Sequence, residues 1–165
     1  MIVVSNTSPL TNLAAIGQFN LLRQLYLELH IAEAVWEELN AQGQSWPGRA
    51  EVAQAHWIHR HSVQNQALVT ALRRDLDAGE AESIALALEQ NATVVLLDEQ
   101  EGRRTAQRFG LRIIGVIGIL LEAKTKSLLP AVQPCLDALR QKAGFYLSEA
   151  VYQYALQQAN ETSTS

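Results

Sequence analysis

The chain predicts an α/β protein: a three-layer α/β/α sandwich with a mostly parallel central sheet and extra helices at the C-terminal end. Three observations carry that expectation. Short apolar runs rich in β-branched residues recur, first Ile2-Val3-Val4 and later Thr93-Val94-Val95-Leu96-Leu97. The second is almost uniformly apolar, as strands covered on both faces are. Segments of helical spacing separate the strand-like runs, and strands alternating with helices imply a parallel sheet. Each of the two runs also stops abruptly at polar residues, Ser5-Asn6-Thr7-Ser8 in one case and Asp98 in the other. Ligands collect outside the carboxyl ends of strands in such sheets.

The elements follow in order. Pro9 suits the first turn of a helix with Ser8 as its N-cap. Leu10, Leu13, Ala14 and Ile16 keep roughly helical spacing, and Gly17 ends the helix. Asn20 caps a second helix through Leu21, Leu22 and Leu25. Residues 27–31 alternate as a strand, and residues 32–40 form a helix with Val35, Trp36 and Leu39 on its apolar side. Residues 43–48 are a loop around Trp46-Pro47. A helix over 49–56 leads to a strand opened by Trp57. Helices over 65–75 and 80–90 follow, the latter, EAESIALALEQ, being rich in Ala, Leu and Glu. After the strand at 93–97 come a helix over 99–109, closed by Gly110, and a short strand at 111–114. A helix over 115–126 carries basic residues in its last turn. Two further helices, 130–142 and 148–160, have no strand between them, so they pack outside the sheet or on a partner. Residues 1–160 read as one domain and 161–165 as a frayed polar tail.

The 165 residues are 48% hydrophobic and 18% charged, a globular composition with room for one sizeable core. A net charge of -4 argues against a broad phosphate-binding surface, since nucleic-acid binders are often basic. It does not argue against a nuclease, because metal-binding carboxylates themselves make a chain acidic. The single Cys135 excludes an internal disulfide. With no signal-peptide pattern and no apolar run near about 18 residues, the expectation is a reducing, cytoplasmic setting and no membrane span.

The acidic residues concentrate where this fold puts its carboxyl edge. Asn6 follows the first strand and Asp98 the central one. Glu80 and Glu82 lie at a helix N-terminus after Gly79, and Glu37 and Glu38 lie on the helix after the second strand. Two readings are open. Acids at a helix start are favourable against the macrodipole and need no function. As a converging group they repel unless a hard divalent cation sits among them.

The segments VVSNTSPLTNLAAIGQFNLL, AVWEEL, DAGEAESIALAL and TVVLLDEQEGRRTAQRFGLRIIGVIGILLEAK resemble the PIN-domain superfamily, in its branch of prokaryotic PIN-like proteins related to VapC toxins. The resemblance runs from Ile2 to about Asn160. It implies a Mg²⁺- or Mn²⁺-dependent ribonuclease, a homodimer and, for toxins, a small antitoxin partner. Carried over by motif position, the catalytic and metal-binding residues are Asn6, Glu38, Glu82 and Asp98. Glu37, Glu80 and Glu101 are the alternatives at their respective motifs. Ser8 falls where the family has a hydroxyl supporting the first acid, and Ser8, Arg103 and Arg104 are candidate RNA contacts. The departure is Asn6, where most PIN nucleases have Asp. Asn keeps an oxygen ligand but removes a charge, and its NH₂ can donate to a neighbouring carboxylate instead. The expected function is therefore a PIN-type endoribonuclease toxin. The alternative is a catalytically silent PIN-like module that binds RNA or a partner protein.

Other residues invite chemistry less. His30, His56, His59 and His61 lack a zinc spacing and read as partly exposed histidines. Trp46 beside Pro47 is a candidate for base stacking, whereas Trp36 reads as core. Arg103, Arg104 and Arg108 are phosphate contacts or a solvated helix face. Gly115 and Gly118 read as close-packing positions, because no Gly-rich loop with Lys is present. The apolar side of the last helix, with Tyr152 and Tyr154, completes the core or meets a partner.

Overall fold

A computed structural model describes residues 1–43 and 45–162. Gln44, in the loop expected over 43–48, and residues 163–165 of the expected tail lie outside the described residues. Five strands, β1 (Val3–Ser5), β2 (Leu29–Ala32), β3 (Ile58–His61), β4 (Val94–Leu96) and β5 (Ile113–Ile114), form one sheet in the order β3-β2-β1-β4-β5. Every neighbouring pair is parallel. Helices α1 (Thr7–Ala15) and α2 (Asn20–Tyr26) link β1 to β2. Helices α3 (Glu33–Leu39) and α4 (Arg49–Gln54) link β2 to β3. Helices α5 (Gln66–Leu72) and α6 (Ala78–Gln90) lead to β4, and α7 (Gln100–Arg108) joins β4 to β5. The chain closes with α8 (Val116–Thr125), α9 (Gln133–Gln141) and α10 (Glu149–Gln158).

Alternation along each strand sends side chains to opposite faces, and two cores result. Val3, Leu29, Ile31 and Leu96 join Leu10, Leu22 and Leu120 on one face. Val4, Val95 and Leu97 join Ile84, Leu86 and Ala106 on the other. Leu136, Leu139 and Leu156 belong to the first core, so α9 and α10 complete this layer of the sandwich.

Helix α6 begins at Ala78, two residues ahead of the expected 80, and two other helix starts also move. Helix α1 begins at Thr7, ahead of Pro9, with Asn6 in the N-cap position and no side-chain cap. The Asn6 N–H donates to Leu96 O at 2.9 Å, so the strand contact ends there and the helix begins at once. Helix α9 begins at Gln133, not near Pro130. Its first N–H groups are satisfied from far along the chain, with Val132 and Gln133 both donating to the Glu161 carboxylate at 2.8 and 3.1 Å. Lys124 donates to the same carboxylate at 2.9 Å, so the tail is anchored at its first residue.

Candidate acidic site at the carboxyl edge

The chain leaves β1 toward β2 but leaves β4 toward β5, while β1 and β4 are hydrogen-bonded neighbours. That reversal of strand order opens a crevice at the carboxyl edge of the sheet. Asn6 sits at its floor, only 2% exposed. Its Nδ2 donates to Glu99 Oε2 at 3.2 Å, while its Oδ1 is buried with no partner. Ser8 Oγ donates to the other oxygen of Glu99, so two side chains at the start of α1 hold this carboxylate. Thr7 Oγ1 donates to Glu38 Oε2 at 2.8 Å.

Helix α6 supplies the opposite wall. Asp77 caps it in a reciprocal box: the Glu80 N–H donates to Asp77 Oδ1 at 2.8 Å and the Asp77 N–H donates to Glu80 Oε1 at 3.2 Å. The next residues come so close to the site that a side chain does not fit. A Cβ on Gly79 would lie 2.8 Å from Glu38 Oε2 and 3.0 Å from Asn6 Oδ1. A Cβ on Gly102, in α7, would lie 2.8 Å from Glu80 Oε2. Glycine at 79 and 102 is thus what lets these oxygens approach the backbone.

The cluster is electrostatically strained as a bare group of acids. Glu80 is pushed up to about 7, mainly by burial, with the neighbouring Asp77 side chain and Glu99 adding to it and the Asp77 N–H opposing. Burial likewise raises Glu38. The Thr7 hydroxyl opposes that shift, and Asp77 and Glu99 reinforce it. Buried carboxylates without a counter-ion hold protons above their ordinary range.

Of the residues expected from the sequence, Asn6, Glu38 and Ser8 meet in this cluster. Glu82 stands beside it: its Oε1 accepts from Ala34 N–H at 3.1 Å, in the first turn of α3, and Ala34 lines a hollow with Glu38. Asp98 turns toward α8, where its Oδ1 accepts from Val116 N–H at 2.9 Å. Its Oδ2 is buried without a partner. Burial pushes Asp98 up to about 6, with Glu99 adding and the Val116 N–H and Arg103 opposing. Arg103 Nη1 lies close by, 3.0 Å from where a Cβ on Gly115 would stand. Glu101 instead pairs with Arg104 at 3.1 Å on the exposed face of α7. Glu37 and Glu38 line a hollow with Asp77 and Gly79. The structure also brings to this cluster Glu80, an alternative at its motif, and Glu99, which no local signal in the sequence separates from Asp98.

Away from this edge, His30, His59 and His61 gather on β2 and β3, with 2.8 Å between His30 Nδ1 and His61 Nε2. Trp46 is 42% exposed and lines a hollow with Asn40 and Arg49. Trp36 carries the Arg60 guanidinium 4.6 Å over its ring.

Among the described residues, no three His, Cys, Asp or Glu side chains converge tightly enough to hold an ion alone. A cation here would need Asn6 as a neutral donor. The unpartnered Asn6 Oδ1 beside Glu38 Oε2 meets that need, and an all-oxygen set suits a hard divalent ion such as Mg²⁺ or Mn²⁺.

An α/β domain with a parallel sheet of order 3-2-1-4-5 and buried acids at its switch point belongs among sheet-edge site proteins of the doubly wound class. More narrowly, the chain belongs to the family DUF3368, a PIN domain, whose model matches residues 2–161. PIN domains are typically nucleases that use divalent metals and bind RNA. A similar solved structure is a PilT N-terminus domain protein, SSO1118, from the hyperthermophilic archaeon Sulfolobus solfataricus P2. It shares 17% identity over 74% of this chain and 93% of its own, with a TM-score of 0.52. That likeness shows the fold. No curated protein matches the chain. No helix among the described residues is long and apolar enough to cross a membrane.

Proposed function

We propose that this protein is a Mg²⁺- or Mn²⁺-dependent endoribonuclease, acting in the cytoplasm as the toxin of a toxin–antitoxin pair. The observation that carries the metal-dependent activity is the unpartnered Asn6 Oδ1, buried where Glu38 Oε2 also approaches the backbone of Gly79. The ion is proposed to be held by Asn6 and Glu38, with Glu80 and Glu99 supplying negative charge in the same crevice and Glu82 and Asp98 standing at its margins, each with one oxygen held at the start of α3 or α8. When bound, the ion supplies Lewis-acid stabilisation of charge developing on the phosphodiester. Glu99 fixes the Asn6 amide so that its oxygen, and not its NH₂, faces Glu38. Ser8 and Thr7 orient Glu99 and Glu38 by donating to them. Glu80, pushed up to about 7 mainly by burial, releases its proton as positive charge enters, so binding strengthens with rising pH. The toxin setting, the small antitoxin and a homodimer are inferred from the kinship with VapC-related proteins.

The test is cleavage of single-stranded and structured RNA with Mg²⁺, Mn²⁺ or EDTA. The wild type is compared with Glu38→Gln and Glu99→Gln. Metal-dependent cleavage that falls about a hundredfold or more in both variants is the expected result. Equal cleavage by all three proteins would mean a contaminant and end the proposal. The second reading, a silent module binding RNA or a protein, is favoured by one contact: Asn6 Nδ2 satisfies Glu99 without any ion. Under that reading the wild type cleaves nothing and its melting temperature ignores Mn²⁺.

A further inference from the structure

We propose that His30, His59 and His61 form a second metal site, a three-imidazole seat for a borderline transition ion of the Zn²⁺ class that ties the edge strand β3 to β2. The site is separate from the acidic crevice and does not rest on the nuclease reading. Strand geometry brings the three residues together. In the parallel register His30 stands opposite His59, and Ala32 stands opposite His61. His59 and His61 are two residues apart, so both leave β3 on one face, and His30 shares that face through its pairing with His59. Arg60, between them, goes to the other face, where it donates to Glu33 and lies over Trp36. No linear zinc spacing marks the set, because His30 and His61 are 31 residues apart and only the pairing of β2 with β3 joins them.

The separation of the rings is that of a chelate. Two imidazole nitrogens about 2.0–2.1 Å from one tetrahedral ion stand about 3.3 Å apart, with their ring centres about 5 Å apart. His30 Nδ1 and His61 Nε2 are 2.8 Å apart. The His30 ring centre lies 5.0 Å from that of His61 and 5.2 Å from that of His59. A hydrogen bond between two imidazoles accounts for the first pair, but it gives no reason for a third ring at the same distance. His59 Nε2 lies 3.6 Å from Glu28 Oε1, so the three nitrogens converge only when the His59 side chain, 42% exposed, turns inward. Water or Glu28 then takes the fourth position. Imidazole nitrogen suits Zn²⁺, Ni²⁺ or Cu²⁺, whereas Mg²⁺ and Mn²⁺ favour the oxygens of the crevice. Ligating imidazoles must be neutral. Burial first, then neighbouring histidines, hold His30 and His61 below 6.5, which keeps both neutral at neutral pH. An ion held across the two strands fastens β3, which lies at the edge of the sheet and pairs with β2.

The experiment is a Zn²⁺ titration of the full-length chain in excess Mg²⁺, which fills the acidic crevice. Calorimetry reads the affinity, and proton–nitrogen NMR of the histidine rings reads the site. A single equivalent of Zn²⁺ should shift the rings of His30, His59 and His61 and leave that of His56 in place. His30→Ala and His61→Ala should weaken binding by about a hundredfold, since losing even an outer partner of a metal ligand costs about 10–100-fold. His56→Ala should bind as wild type does. Zn²⁺ should raise the melting temperature of wild type and His56→Ala, but not of the other two variants. Histidine rings unmoved by equimolar Zn²⁺ overturn the proposal, and the wild-type spectra decide this even where a variant fails to fold. Binding that His30→Ala and His61→Ala leave unchanged overturns it too. Zn²⁺ that excess Mg²⁺ displaces belongs to the acidic crevice and also ends the proposal.

Discussion

At the scale of the residue, Asn6 decides what kind of acidic site this is. An aspartate there would face Glu38 across Gly79 and would lack the N–H that now satisfies Glu99. Asn6→Asp should therefore destabilise the metal-free protein by about 2 kcal/mol, through a lost charged hydrogen bond and an added like charge. The same change should tighten Mn²⁺ binding, because it supplies a charged ligand where a neutral one stood. Melting temperatures in EDTA and in Mn²⁺ check this: the variant should fall below wild type in the first and recover in the second. An identical shift in both buffers would show that no ion reaches this carbonyl. Residue-scale choices were also where the sequence was least legible. Glu80 and Glu82 are two residues apart on a helix, about 200° around its axis, so they meet different neighbours, Asp77 for one and Ala34 for the other. What they meet depends on where α3 and α7 pack, and no local pattern states that. Asp98 and Glu99 pose the same problem in extended backbone, where consecutive side chains point to opposite sides.

At the scale of the element, legibility was high and its failures have a physical cause. All five strands were anticipated, because apolar runs and alternation are local signals. Starts moved where the cap comes from a distant part of the chain. The first turn of α9 is capped by Glu161, 28 and 29 residues from its donors Gln133 and Val132. Burial alone would raise that carboxyl, yet Lys124 and the two backbone N–H groups hold it below its ordinary range. Glu161→Ala should then expose the α9 start, free Lys124 and cost about 2 kcal/mol. Hydrogen exchange checks it. The amides of Val132 and Gln133 should lose protection in the variant, while those of β4, paired on both sides within the sheet, keep theirs. Unchanged protection at both amides would mean that the tail contact is incidental.

At the scale of the whole molecule, the strand order, which no local signal states, gathers distant acids at one edge of the sheet and gives the stability a pH signature. Glu80 titrates near about 7 in the fold against an ordinary 4.5, and Asp98 near about 6 against 3.8, burial being the main cause in both. A carboxyl raised on folding contributes stability that is whole below its unfolded value and is lost as pH rises through its folded value. The metal-free protein should therefore weaken on going from about pH 5 to about pH 8, by about 2 kcal/mol from Glu80 alone. His30 and His61 act in the opposite sense. Burial first, then neighbouring histidines, lower both below 6.5, so their contribution is present above that value and is lost as pH falls beneath it. The two trends oppose each other, the acids weakening the fold on the alkaline side and the histidines on the acidic side, and melting temperatures in EDTA across this range read both. Glu80→Gln should flatten the alkaline limb and leave the acidic limb alone, because the histidine shifts arise from burial and from neighbouring histidines, with no contribution from Glu80. Saturating Mn²⁺ should flatten the same limb in the wild type, since the ion takes the place of the protons. An alkaline limb that neither Glu80→Gln nor Mn²⁺ alters would show that the buried acids of the crevice are not what titrates.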